Sequence, residues 1–174
     1  MTADQLRLIF AHAKEEKILL FLDPLNVTME IYEINTTIRQ SHFLAQVGHE
    51  SGELRYREEI ASGKAYEGRK DLGNIYPGDG VKFKGRGLIQ LTGRTNYTAY
   101  GNYVGRSFLD NPNDIATDTF LCADVAGWFW HKKKLNTYAD TDDIKTITKR
   151  INGGLNGFDD RKRLYSIARQ VLDE

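Results

Sequence analysis

Apolar positions recur at helical spacing through most of the chain. Thr2-x-x-Gln5 reads as a capping box, in which two side chains satisfy two free backbone N–H groups, and Leu6, Ile9, Phe10 and Ala13 follow it as a helical stripe. Asp23-Pro24 reads as an N-cap followed by proline at the first helical position, opening a helix that carries Leu25, Met29 and Tyr32. Asn35 or Thr36 caps the next helix, which runs to about Ser51 and stops at Gly52. Residues 53–85 hold many glycines and Pro77, a pattern that predicts a loop-rich segment with short strands. Leu88, Gln90 and Thr92 then alternate with Ile89 and Leu91, predicting a short strand with Gln90 and Thr92 on one face and the aliphatic pair on the other. From Asn113 the pattern is helical again, roughly over 115–134, 142–151 and 159–172. Asp159 and Asp160 favour the start of the last helix, and Leu164, Ile167, Ala168 and Val171 form its stripe. Many helices with one small β insertion make an α+β chain, predominantly helical, and with no repeat or linker the expectation is a single domain over residues 1–174.

Composition narrows the picture. The 24 basic and 24 acidic residues cancel, which argues against a general nucleic-acid or membrane binder. The local cluster Lys132-Lys133-Lys134 reads as a helix end, where cations suit the helix dipole; contact with an anionic cell-wall polymer is the alternative. The one cysteine, Cys122, forms no internal disulfide and falls in a helical pattern as a small buried residue. Met1-Thr2-Ala3-Asp4 lacks the basic and apolar regions of a secretion signal, and no stretch has the length of a membrane span. The expectation is a monomer made in the cytoplasm, without membrane insertion, that reaches any extracellular substrate only after release. Four scattered histidines give no metal set, His49-Glu50 lacks the second histidine of a zinc-protease helix, and Gly85-x-Gly87 lacks the third glycine of a dinucleotide loop. No metal or cofactor is expected.

Glu50 is the first candidate for chemistry. Positions 43, 47 and 50 share a helix face, so Glu50 extends the stripe of Phe43 and Val47 into the last turn before Gly52. Apolar neighbours and the negative helix end both disfavour a carboxylate there, as a general acid requires. A solvated Glu50, or one paired with Arg55 or Arg57, is the plainer reading. A glycosidase needs a second carboxylate, and Glu53, Glu58 and Glu59 are the candidates. On one continuous helix Glu50 and Glu59 would lie about 13 Å apart on opposite faces. They share a cleft only if the helix breaks between them, and Gly52 supplies the break.

Four blocks, in order, resemble glycoside hydrolase family 19: Phe43-Leu44-Ala45-Gln46-Val47-Gly48-His49-Glu50-Ser51-Gly52, then Glu59, then Phe83 to Tyr97, then Ile151-Asn152-Gly153-Gly154. The similarity runs from about Leu6 to the C-terminus, and the phage endolysin branch matches best. The resemblance implies a lysozyme-like, two-lobed fold and an inverting mechanism. In it Glu50 protonates the leaving oxygen and Glu59 takes a proton from the attacking water, with Glu58 the adjacent ambiguity. It implies that Thr92 helps hold that water, and that Gln90, Asn96 and Asn152 hydrogen-bond sugar groups, for which amides suit because each offers donors and an acceptor. It also places Arg161 near the second acid as a substrate-binding residue, where an ordinary charge of the last helix is the alternative. His49 reads as a packed, hydrogen-bonded neighbour of the acid.

The sequence departs from plant chitinases of that family. An aromatic expected near Arg94 and Thr95 is missing, loops are short, and disulfide-forming cysteines are absent. The expected function is therefore an endolysin-type lysozyme that hydrolyses the β-1,4 bond of a peptidoglycan glycan strand. A chitinase with the same machinery is the nearest alternative. A lytic transglycosylase would need one acid only, and a silent wall-binding module would need no acid pair.

Overall fold

The computed structural model describes residues 1–173. Helix α1 (Ala3–Ile9) opens on the capping box: Gln5 N donates to Thr2 Oγ1 at 3.2 Å and Thr2 N donates to Gln5 Oε1 at 2.9 Å. Helix α2 (Glu15–Ile31) corrects the Asp23-Pro24 expectation, because Pro24 lies inside the helix rather than at its start. Its missing N–H leaves the Leu20 carbonyl without a helical donor, on a turn where Leu19 and Leu20 are exposed to water. Pro24 itself is buried beside Phe21 and Leu25, and that packing holds the helix through the defect.

Helix α3 (Thr37–Ser51) matches its signals. Arg39 N donates to the Thr36 hydroxyl at 3.3 Å, and Gly52 closes the helix in the left-handed region at φ 58°. Residues 41–48 are buried all round, so α3 is the central helix. Phe43 meets Trp130 edge to face at 5.5 Å.

Between α3 and residue 93 the chain makes single 3-10 turns at Lys64–Tyr66 and Lys70–Leu72 and a short α4 (Asp79–Lys82). The β insertion reduces, among the described residues, to two isolated antiparallel bridges, Glu58 to Arg86 and Arg86 to Leu91. Residues 88–92 are therefore not a strand. Leu91 N donates to Arg86 O at 2.8 Å and Arg86 N to Leu91 O at 3.1 Å, closing a tight turn over 87–90. Both Gly87 (φ 77°) and Gln90 (φ 56°) take left-handed backbone, which no extended segment permits. Gly87 is required twice over, since a Cβ there would sit 2.3 Å from Val125 Cγ1.

Helix α5 (Arg94–Val104) was not anticipated. The expected helix over 115–134 divides into α6 (Asp114–Thr117) and α7 (Thr119–Lys132), because Asp118 caps α7 by accepting from Phe120 N and Leu121 N. Lys134 turns left-handed at φ 54°, and α8 (Leu135–Ala139) follows. Helices α9 (Ile144–Asn152) and α10 (Phe158–Asp173) lie where expected. α10 packs along α3 and against α1, and α7 packs along α2. Cys122 is fully buried, and burial pushes its thiol up to about 12. No helix among the described residues is long and apolar enough to cross a membrane.

Candidate active site

The break after α3 is sharper than one glycine. Gly52, Glu53 and Leu54 take left-handed backbone in succession, at φ 58°, 55° and 68°. Two of these are not glycine, so the turn is strained and must be held from outside. Glu53 N donates to Gly48 O at 2.7 Å, Leu54 N donates to Ser51 Oγ at 2.9 Å, and the Leu54 side chain is fully buried. The Glu53 carboxylate accepts from His12 N at 2.8 Å and from Arg163 at 3.1 Å. Glu53, a candidate for the second carboxylate, is thus a buried anchor of the turn. The reversal carries the chain back toward the foot of α3.

There residues 57–59 run beside the segment 85–87. Gly87 N donates to Arg57 O and Glu59 N to Gly85 O, both at 2.8 Å. Adjacent side chains of such a segment point opposite ways, which separates Glu58 from Glu59. Glu58 turns to Arg86 and Lys84, at 3.0 and 3.4 Å. Glu59 turns inward. Its Oε1 accepts from the Tyr66 hydroxyl at 2.8 Å and its Oε2 from Gly85 N at 3.1 Å. Burial and the Glu59 carboxylate both push the Tyr66 phenol up from its usual value, so it remains a donor.

Glu50 and Glu59 line one cavity of about 410 Å³, together with Tyr66, Gly85, Ile89, Gln90, Thr92, Ile151 and Asn152. Thr92 Oγ1 donates to Gln90 O at 2.9 Å, which leaves the hydroxyl lone pairs free to accept in the cavity. Gln90 Nε2 donates to Gly87 O at 3.1 Å, so the turn that replaced the expected strand aims this amide. Asn152 enters from the end of α9. Asn96 lies off the central cavity, in a groove that continues it past Thr92 and Asn152, and its amide donates to Thr92 O at 2.8 Å.

Arg161 requires a correction. It contacts Glu50, not Glu59, and its side chain is 0% exposed, so no sugar reaches it. One guanidinium nitrogen donates to Glu50 Oε1 and another to Gln46 Oε1, each at 2.5 Å, while Nε donates to Asn156 O at 3.2 Å. Gln46 in turn donates to Thr148 at 3.3 Å. A buried polar chain from α9 through α3 to α10 therefore fixes one oxygen of Glu50, and the other carries no protein hydrogen bond among the described residues. This corrects the expectation of apolar surroundings for Glu50, and its pairing is with Arg161 rather than Arg55 or Arg57. His49 meets its expectation as a packed residue, with Nδ1 at 2.8 Å from Asp160.

Sequence reasoning missed Tyr66. It sits in a glycine-rich loop with no periodicity, and an aromatic shortly after a candidate acid was the only signal. Among the described residues no three His, Cys, Asp or Glu side chains gather in a metal-binding group.

The geometry agrees with what the chain is similar to. The sequence profile for chitinase class I, of glycoside hydrolase family 19, matches residues 35–157. A glycosyl hydrolase family 19 domain-containing protein of Haemophilus influenzae is 35% identical over 159 residues, covering 74% of this chain and 77% of that one. An endochitinase of Arabidopsis thaliana is 37% identical over 112 residues, covering 64% of this chain and only 38% of its own length. The crystal structure of chitinase C from Streptomyces griseus superposes with a TM-score of 0.80 at 22% identity, covering 99% of this chain and 76% of that one. The chain belongs to glycoside hydrolase family 19. It is a glycoside hydrolase with the mostly helical, lysozyme-like fold of that family.

Proposed function

We propose that the chain is a peptidoglycan hydrolase of the endolysin type. It cleaves the β-1,4 bond between amino sugars in one displacement. The observation that carries the reaction is the pair Glu50 and Glu59 facing one polar cavity from two independently anchored segments. Glu50, fixed through one oxygen by Arg161, delivers a proton to the glycosidic oxygen. Glu59, held by Tyr66 and Gly85, takes a proton from a water on the opposite face of the sugar. Thr92 helps hold that water, and Gln90, Asn96 and Asn152 hydrogen-bond sugar groups. An inverting site needs its carboxyls ~6.5–9.5 Å apart to leave room for the water.

The lining supports the choice of polymer. Among the described residues Tyr66 is the one aromatic of the central cavity, and Glu50, Glu59, Gln90, Thr92 and Asn152 supply five further polar side chains beside Ile89 and Ile151. Arg94, where an aromatic was expected, is tied to Asp79 at 2.6 and 2.8 Å and packs on Tyr76 and Phe83, away from the cavity. Such a site recognises sugars by hydrogen bonds and suits a substituted glycan. Chitin is the second reading, favoured by the similarity to plant endochitinases. The protein would act as a monomer on the wall after release from the cell that makes it.

Rates on purified peptidoglycan and colloidal chitin at equal enzyme concentration test the proposal. Peptidoglycan is expected to clear faster, Glu50→Gln and Glu59→Gln to abolish clearing in folded protein, and Glu58→Gln to retain it. Faster chitin hydrolysis would give the polymer to chitin. Clearing by folded Glu50→Gln would remove the acid assignment.

A further inference from the structure

The groove that continues the central cavity has a volume of about 510 Å³ and shares Ile89, Gln90, Thr92, Ile151 and Asn152 with it. Three cations line this extension: Lys132 and Lys133 at the end of α7, and Arg150 in the last turn of α9. None has a carboxylate within 4.0 Å among the described residues, whereas Arg7, Arg39, Arg94 and Arg163 all do. The acidic residue of the same groove, Asp71, is already held by Arg69 at 2.5 Å. Aromatic rings steer the cations without neutralising them: Lys132 Nζ lies 4.7 Å from the Trp128 ring, and Arg150 Cζ 4.5 Å from that of Tyr138. Partial burial and the neighbouring charge of Lys133 hold the Lys132 ammonium below its ordinary value, a cost that a bound anion would relieve. Helix dipoles explain a cation at each helix end. They do not explain why two helix ends bring their cations into the groove that leaves the catalytic cavity.

We infer that Lys132, Lys133 and Arg150 form a carboxylate-binding subsite, which takes the acidic substituent of a glycan extending out of the central cavity. The inference rests on the proposed peptidoglycan substrate. In that polymer alternate sugars carry a lactyl group, ending in its own carboxylate or in a peptide stem with carboxylates. A chitin chain has no such group.

The test compares wild type with the variant K132Q/K133Q/R150Q, and with Lys133→Glu alone should the triple variant not fold. The substrates are soluble glycan strands with intact peptide stems, and the same strands stripped by an amidase. On at least one kind of strand KM should rise about tenfold with kcat within threefold, as expected of three exposed charge pairs acting together. The difference should vanish at high salt. An effect on intact strands only assigns the stem carboxylate, and an effect on stripped strands the lactyl one. No change in KM, or an equal change on neutral glycol chitin, would overturn the subsite. Binding of carboxymethyl chitin against glycol chitin separates the two ideas. If wild type leaves peptidoglycan intact yet binds the carboxylated chitin about tenfold tighter, and the variant does not, the subsite stands and the proposed substrate falls. If wild type cuts peptidoglycan but binds both chitins equally, the substrate stands and the subsite falls.

Discussion

Replacing Arg161 by methionine keeps the bulk of the side chain and removes its charge and three hydrogen bonds. The guanidinium is 0% exposed and spans Glu50, Gln46 and the Asn156 carbonyl. Its loss leaves the Gln46 carbonyl oxygen buried without a donor, which costs about 1–3 kcal/mol. It also leaves Glu50 without its cation. Orphaning one member of a buried pair costs about 3–5 kcal/mol. The Glu50 side chain keeps 18% exposure, so water offsets part of that and the lower end applies. The two losses share one side chain and do not add in full, so the expected destabilisation is about 3 kcal/mol. For a chain of this length that lowers Tm by roughly 6–12 °C. Urea unfolding of wild type, Arg161→Met, Glu50→Gln and the double variant measures it. The double variant should be about 1–2 kcal/mol more stable than the sum of the single changes, because the amide of Glu50→Gln carries no charge to orphan. A loss under about 1 kcal/mol, or strict additivity, would refute the buried pair as the support of Glu50.

Three further outcomes follow from particular contacts. Tyr66→Phe removes one of the two donors on Glu59 and should lower kcat about tenfold with KM within twofold, measured on soluble substrate; unchanged kcat would take Tyr66 out of the mechanism. Thr92→Ser should keep most activity and Thr92→Val should lose much of it, since only serine retains a hydroxyl for the water, and equal rates for the two would reduce Thr92 to a packing role. Arg94 holds the buried Asp79 carboxyl below its ordinary 3.8, so this pair stabilises the fold fully above about pH 4 and loses that contribution as pH falls through the lowered value. Asp79→Asn should therefore cost stability at pH 7 and flatten its decline below about pH 4, and an unaltered acid limb would count against the pair.

What could be read from the sequence were the features with local causes. Thr36 and Gly52 delimit α3, and Thr2 with Gln5 opens α1, because each cap is made within four residues. Pro24 misled because its local preference for a helix start was overridden by burial beside Phe21 and Leu25, contacts made at long range. Alternation over residues 88–92 misled because a closed turn between Arg86 and Leu91 can also alternate polar and apolar side chains. Both glutamates and Thr92, Gln90 and Asn152 were identified through the family resemblance, and the structure brings them to one cavity. The side-chain partners of Arg161, Glu50 and Gln46, lie 111 and 115 residues away, so no local pattern could reveal them. Tyr66 reaches Glu59 only through a loop with no period to read.

The configuration of the freshly released reducing sugar tests the central claim most directly. If Glu50 and Glu59 act as acid and base on a water in a single displacement, proton NMR during the first minutes of digestion should show the α-anomer at the new reducing end, before mutarotation mixes the signals. The β-anomer appearing first would require two displacements instead of one, and anhydro ends would require no water at all. Either result would contradict the roles assigned to Glu50 and Glu59.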